Sequence, residues 1–470
     1  MKLRNLLGSI AAGAMLATTG FAETATDNPL MSEAFFTDKT TVAMVEAAIA
    51  SGADLMGRDE YGATPLIRAM EGHAPIDVIS FLITQGVPVN QIGGKGGLPT
   101  LYAAYAGNLE VLQVLKAAGA DFKAVNYMKD GPQHWLAYNE AFDPAMLAFL
   151  QAEGLDISAQ NRNGETAASM VGWSESPKAL EMLAAFEAAG ADPTVISGEG
   201  NDIWMNAISY GVKTPEVLEY FYSLSEDPQA ANNAGLSGIL LASQYGINES
   251  RLSFLESKGF DLFVETPKGE NALLLNAKNG DAASLKLLLD RGFDIDSTDD
   301  RGNTVLHIAA DDNEPANITA LIEAGADVTA ANAKGETPLM LLLARKIDDP
   351  ASDDGKALIA LADLMITKGA DLVTADASGA TPLILAVKGG QPVTRLQQIL
   401  AAGADVNAVD GEGMTALMVA SMQAKDPAVI DLLLAAGANK TVKDVFDDTA
   451  ALLAMDNPAL KDSRVLSALN

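Results

Sequence analysis

Short apolar blocks alternate with polar, glycine-marked stretches along nearly the whole chain, and the alternation is periodic. Glycines recur at 62, 97, 131, 164, 200, 235, 269, 302, 335, 379 and 413, with Asp447 in the next place. Successive steps are 33 to 36 residues, apart from one of 44 between Gly335 and Gly379. A second series lies ten residues upstream and heads the triplets Gly52-Ala53-Asp54, Gly190-Ala191-Asp192, Gly325-Ala326-Asp327, Gly369-Ala370-Asp371 and Gly403-Ala404-Asp405. Two glycine series in register over most of the chain mark an internal repeat.

Each period predicts two short helices and a loop. Thr64-Pro65-Leu66, Thr337-Pro338-Leu339 and Thr381-Pro382-Leu383 open the first helix. Threonine caps the exposed amides there, and proline loses nothing in the first turn, where its missing N–H has no partner. That helix breaks near Gly389-Gly390 in the best-formed unit. A more apolar second helix follows, as in Val429 to Leu434, and stops at a glycine such as Gly437. The ten residues between the two glycine series, such as Ala404 to Gly413, are polar and suit a protruding hairpin-like loop.

The helix–turn–helix–loop unit resembles the ankyrin repeat, with Gly302-Asn303-Thr304-Val305-Leu306-His307-Ile308-Ala309-Ala310 as the best match to its signature. The resemblance is strong from Gly259 onward and weaker from Gly119 to Tyr245, where Gly131-Pro132-Gln133-His134-Trp135 and Gly235-Leu236-Ser237-Gly238-Ile239 lack the Thr-Pro pair. It implies an all-α solenoid of about twelve repeats over residues 52–470, with short β-hairpin-like loops and first helices lining a concave face. By the same resemblance, His307 hydrogen-bonds the neighbouring loop. One repeat cannot bury its apolar face alone, so terminal units should present polar outer faces. A lone helix at Thr41 to Ala50, within a linker-and-cap segment 23–51, and the last segment, Asp456 to Asn470, are the expected caps.

The first residues alter the picture of where the chain works. Lys2 and Arg4, an apolar run from Leu6 to Leu16 and Gly20-Phe21-Ala22 have the layout of a secretory signal peptide cleaved after Ala22, and a periplasmic location is expected. The chain has no cysteine, so neither disulfides nor lipidation of a cysteine enters. The 31 basic and 62 acidic residues leave a net charge of −31, and losing Lys2 and Arg4 makes it more negative still. Such a surface repels phosphate backbones and anionic headgroups. The expected partner is another protein, with a basic patch, rather than nucleic acid or membrane, and the chain itself is expected to be a monomer.

Candidate chemistry is sparse. His73 and His134 lie two repeats apart, His134 reading as a proline position, and no nucleophile is placed beside either. Asp294, Asp296, Asp299 and Asp300, and Asp348, Asp349, Asp353 and Asp354, lack the alternating spacing of a calcium loop. Gly93-Gly94-Lys95-Gly96-Gly97 lacks the ending of a phosphate-binding loop. No cofactor and no enzyme activity is expected. Met414, Met418 and Met422, four apart, admit a Cu(I)-buffering reading. Aromatics carry more: all nine tyrosines fall between Tyr61 and Tyr245, and all three tryptophans between Trp135 and Trp204. Trp135 and Trp204 align with the signature leucine and read as core. Tyr61 and Tyr127 fall in loop tips, Tyr105, Tyr210 and Tyr245 late in first helices, and Trp173 in a helix–helix connection. These six are the candidate partner-binding residues. Arg345 to Lys356 reads as an exposed loop inserted between two helices. The function these features imply is an exported scaffold, adaptor or inhibitor that binds a protein through its concave face and loop tips. A stress-protection or chaperone-like role beside an enzyme such as a catalase is the alternative.

Overall fold

In the unit that begins at Thr381, the threonine hydroxyl accepts the Ile384 N–H at 3.3 Å and starts the helix Pro382–Lys388. Leu383, Ile384, Ala386 and Val387 are all buried, because this first helix packs on its neighbours in both flanking repeats as well as on its own partner. The second helix, Val393–Ala401, buries only the stripe of Arg395, Leu396 and Ile399. The chain then turns at left-handed Gly403 and runs through a polar loop to Gly413. The same plan recurs along the chain, and the fold is a helical repeat solenoid.

The computed structural model describes residues 28–469 except 33, 60, 94–95, 211–213, 313–314 and 461–463. The signal peptide expected at residues 1–22 lies outside the described residues. The chain forms two compact units. One runs to Ala168 and takes in Ser176–Asp192, and the other comprises Ser169–Glu175 and Pro193–Asn470. In the second, a continuous apolar core runs from Trp204 to Leu469.

The loops are held by an element absent from the glycine pattern. Asp299 Oδ1 accepts the N–H groups of Arg301 and Asn303 at 2.9 and 2.8 Å, while the Gly302 N–H returns to the Asp299 carbonyl. Asp59, Asn126, Asn161, Asn232, Asn332 and Asp410 do the same three residues ahead of their own left-handed tip residue. Short polar side chains favour such local bonds to the following backbone. Neighbouring tips are tied together as well. The Ala333 N–H reaches Arg301 O at 2.9 Å, and in the first unit the Arg162 N–H reaches Met128 O at 2.7 Å. Gly379 shows why the tip is glycine: its φ is 85°, and an added Cβ would lie 2.7 Å from Val409 O of the next tip. Among the described residues the hairpin character is reduced to isolated antiparallel bridges at Thr298–Thr304, Val409–Thr415 and Lys443–Thr449.

Several expectations change in detail. The left-handed tips of the second and third loops are Gly96 and Lys129, not Gly97 and Gly131. Gly131 instead caps the helix Pro132–Leu136. The units between Gly119 and Tyr245 keep the plan but shorten it: one first helix is Ala167–Met170 continued by a 3-10 turn, Val171–Trp173. Where the upstream glycine is missing, Ser225 ends the helix Pro215–Leu224 in extended backbone. The helix Val42–Ala50, capped by Thr41, is not alone, since a 3-10 turn at Pro29–Met31 packs with it. The insertion is only partly a loop. Its second part forms the start of the helix Asp353–Thr367, whose 15 residues exceed the length of the other second helices.

Candidate interaction surface

Two histidines fix the register of the site. In His307 the Nδ1 atom accepts the Thr304 N–H at 3.2 Å, and the Nε2–H donates to Glu336 O of the next loop at 2.9 Å. His134 repeats the arrangement, accepting from the Gly131 N–H at 3.0 Å and donating to Ala159 O at 3.1 Å. His134 therefore holds the signature histidine position and not a proline position. The two-residue shift of its loop tip accounts for the misreading. The same shift moves Trp135 off the signature leucine position, though it is buried as expected. Trp204 does hold that position and is fully buried. Burial lowers both imidazole pKa values, against the pull of Asp130 on His134 and of Glu336 and Asp299 on His307. His73 sits at a left-handed turn with Nδ1 at 2.9 Å from Glu71 O.

The six candidate aromatics divide evenly. Tyr61, Tyr105 and Tyr127 belong to the first unit, and Trp173, Tyr210 and Tyr245 to the second. In the first, Tyr61 and Tyr127 are exposed on loop tips. Tyr127 lies over the preceding tip, since a Cβ on Gly96 would fall 2.4 Å from its ring. Tyr105 is half-buried and packs edge-on against Trp135 with ring centres 6.4 Å apart. Behind these, buried Arg68 joins Asp59 and Glu71, and the Tyr102 hydroxyl donates to Glu71 at 2.8 Å. This network ties a loop head to the helix that follows it.

In the second unit the structure brings two candidates together. Tyr210 and Tyr245 end the first helices of consecutive repeats and meet edge to face, ring centres 6.2 Å apart and planes at 81°. Trp173 lies one residue before the corresponding place in the preceding repeat, which Ser174 holds, and is half-buried. Its turn is held against the helix Ile203–Ser209, where a Cβ on Gly172 would fall 2.6 Å from Ile203 O. Burial raises the pKa of both tyrosines, with Glu175 adding to the effect on Tyr210 and Glu199 on Tyr245.

Arg251 is the residue that sequence reasoning missed. Its guanidinium donates to Ile208 O at 3.0 Å, Ser209 O at 3.2 Å and Gly246 O. The first two carbonyls precede Tyr210 and the third follows Tyr245, so one buried side chain holds both turns. Burial lowers its pKa to about 10, and it stays charged at neutral pH. The available signal was an arginine at a second-helix position filled by Val111 and Ser284 in other repeats.

Other readings of the sequence meet the geometry differently. Met414 and Met418 are buried in the core while Met422 is 52% exposed, so the three thioethers do not share an environment. Met418 stands at the signature histidine position, its sulfur 3.4 Å from the Thr415 N–H. Asp299, one of the clustered carboxylates, is used to brace its own loop. Gly94 and Lys95 of the glycine-rich loop lie outside the described residues. Among the described residues no group of three or more His, Cys, Asp or Glu is placed to hold a metal, and no helix is long and apolar enough to cross a membrane. A cavity lined by Met70, His73, Ala103 and Val111 measures about 110 Å³, small beside the ~300–1,000 Å³ of ligand pockets.

A family model described as ankyrin repeats, in three copies, matches residues 239–332 and 351–444. The chain carries ankyrin repeats. The match begins at 239, after the repeats whose helix caps are Leu98, Gly131 and Asp202 in place of threonine. Those earlier units keep the loop bonds at Asp59, Asn126 and Asn161, and one of them keeps the histidine geometry at His134, while departing from the signature residues. The chain is also similar to the crystal structure of the ankyrin repeat domain of Bcl-3, described as a unique member of the IkappaB protein family. The two are 24% identical, with 49% of this chain and 92% of that one covered and a TM-score of 0.34.

Proposed function

We propose that this ankyrin repeat protein is a binding module that holds a basic segment of a partner protein against Tyr210, Tyr245 and Trp173. The observation that carries the reading is the Tyr210–Tyr245 ring pair, whose two turns Arg251 holds together. Rigid aromatic faces supply contact area at little entropic cost, and such side chains dominate binding hot spots. Ring faces attract cations, and neighbouring carboxylates add to that attraction. The net charge of −31 steers basic partners toward the chain. Export to the periplasm, read from residues 1–22, makes the role that of an exported scaffold, adaptor or inhibitor.

The test is a cross-linked capture from periplasmic extract, followed by titration of the captured partner against the wild-type chain and a Tyr210→Ala/Tyr245→Ala variant. A single stoichiometric partner is expected, with affinity falling about thirtyfold in the variant and falling again as salt is raised. Unchanged affinity in the variant would remove the aromatic pair from the interface. A diffuse set of clients that ignores the substitutions would favour the chaperone-like role.

A further inference from the structure

Three consecutive loops of the second unit carry a cation at the same place. Lys268, Arg301 and Lys334 each stand immediately before a left-handed glycine, Gly269, Gly302 and Gly335, and all three are exposed. Ala234 and Ser378 hold the place in the loops on either side, and no other described loop tip has a basic residue there. Lysine and arginine make up only 31 of the 470 residues, so three in succession at one register position are not expected from composition. The backbone holds them in line. The Asp300 N–H donates to Lys268 O at 2.8 Å, the Ala333 N–H to Arg301 O at 2.9 Å and the Ala377 N–H to Lys334 O at 2.7 Å.

Among the described residues, none of the three side chains takes part in an ion pair or hydrogen bond. Other cations of this unit do: Lys258 pairs with Glu219, Lys286 with Asp290, Arg291 with Glu249 and Arg395 with Asp363. The carboxylates of the same loops are bonded inside them. Asp299 accepts from the Asn303 amide, Glu270 from the Thr266 hydroxyl and Glu336 from the Asn332 amide, and each is half-buried. Within residues 266–270, 299–303 and 332–336 the one exposed carboxylate is Asp300. Three exposed cations against one exposed carboxylate leave this row positive on a chain of net charge −31.

We infer that Lys268, Arg301 and Lys334 form a docking row for an extended acidic segment of a partner protein. The rest of the chain repels dense polyanions, which favours a protein segment with spaced carboxylates over a phosphate polymer. The spacing follows from the fold. Helices of neighbouring repeats pack about 8–10 Å apart, and an extended strand advances about 3.3 Å per residue. Carboxylates at every third residue of the segment would therefore meet successive cations. Arg301, in the middle, can hold its carboxylate through two parallel N–H donors, which fixes the register. The row stands apart from the Tyr210–Tyr245 pair in its residues and in the charge it selects.

A labelled peptide of glycine and serine with glutamate at every third position, titrated with the full chain at low ionic strength and followed by fluorescence anisotropy, tests the inference. Beside it stand a peptide with the same glutamates made contiguous and a Lys268→Gln/Arg301→Gln/Lys334→Gln variant. The substituted positions are exposed, so the variant's thermal melt is expected to be unchanged. Should it melt early, Arg301→Gln alone gives the same reading with a smaller effect. The spaced peptide is expected to bind the wild type, more weakly as salt is raised, and its dissociation constant to rise about tenfold in the triple variant. The contiguous peptide is expected to bind several-fold less tightly. No binding of the spaced peptide, or equal affinity for wild type and variant, would overturn the inference. Equal affinity for the two peptides would overturn the matched spacing, and inorganic polyphosphate that outcompetes the spaced peptide would overturn the choice of a protein segment.

Discussion

His134 and His307 are held neutral by the same geometry, a backbone N–H donated to Nδ1 and a carbonyl taken by Nε2–H. An imidazolium would set a second proton against that N–H in a buried site. Because burial lowers both pKa values, the unfolded chain binds protons below about pH 6.5 that the folded chain does not. Their contribution to stability is complete above that pH and is lost as pH falls toward the lowered folded values. Thermal melts between about pH 7.5 and 5 should show falling stability in the wild type. A His134→Gln/His307→Gln variant should be less stable at the upper pH and flatter across the window. A slope identical in both would show that other groups control the acid limb. His307 was legible because its neighbours spell the signature. His134 was not, because Lys129 adopts the left-handed tip that Gly131 was expected to fill. Glycine spacing marks where a left-handed residue is easiest, and lysine can take that conformation when Asn126 braces the loop around it.

At the level of elements, the sequence showed the paired helices wherever a capping threonine preceded proline, as at Thr337 and Thr381. It could not show the bonds that run between repeats. Those depend on which second-helix side chain reaches back to the end of an earlier first helix. Arg251 is the clearest case, and its loss should be felt twice. Arg251→Met keeps the aliphatic bulk but leaves three carbonyls without their donor. That should cost about 2–4 kcal/mol in denaturant unfolding. It should also loosen Tyr210 and Tyr245, so partner affinity should fall even where the variant remains folded. A loss of stability without loss of affinity would assign Arg251 a purely structural role. The site itself was half legible. Chain position showed that Tyr210 and Tyr245 end equivalent helices, whereas their ring contact and the split of the six aromatics between two units needed the fold.

For the whole molecule, the net charge acts on folding and on binding with opposite signs. Self-repulsion among 62 acidic residues disfavours the folded state, and salt screens it. Attraction to a basic partner is screened by the same ions. Raising ionic strength from low to physiological should therefore raise the melting temperature by a few degrees while weakening partner capture. Both shifts can be read on one sample by a thermal melt and a titration. If the two moved together, the acidity would not be the source of partner attraction. Composition made this legible without any structure.

The insertion after Arg345 gives the molecule a property that its repeating plan lacks. Ile347 N–H bonds to Gly389 O in the next repeat, and the Lys425 side chain, two repeats on, reaches the Asp348 carbonyl across 77 residues of sequence. The cross-repeat bonds of His307 to Glu336 and of Arg251 to Ile208 span 29 and 43 residues. A stack in which each layer touches only the next can fray one layer at a time. Here three consecutive layers are strapped to one another, and the free-energy steps between partly open forms become fewer and larger. The exposed Asp348–Lys425 pair is weak alone, but a tie between second neighbours changes the order of melting. It favours joint opening of those layers over peeling from the end.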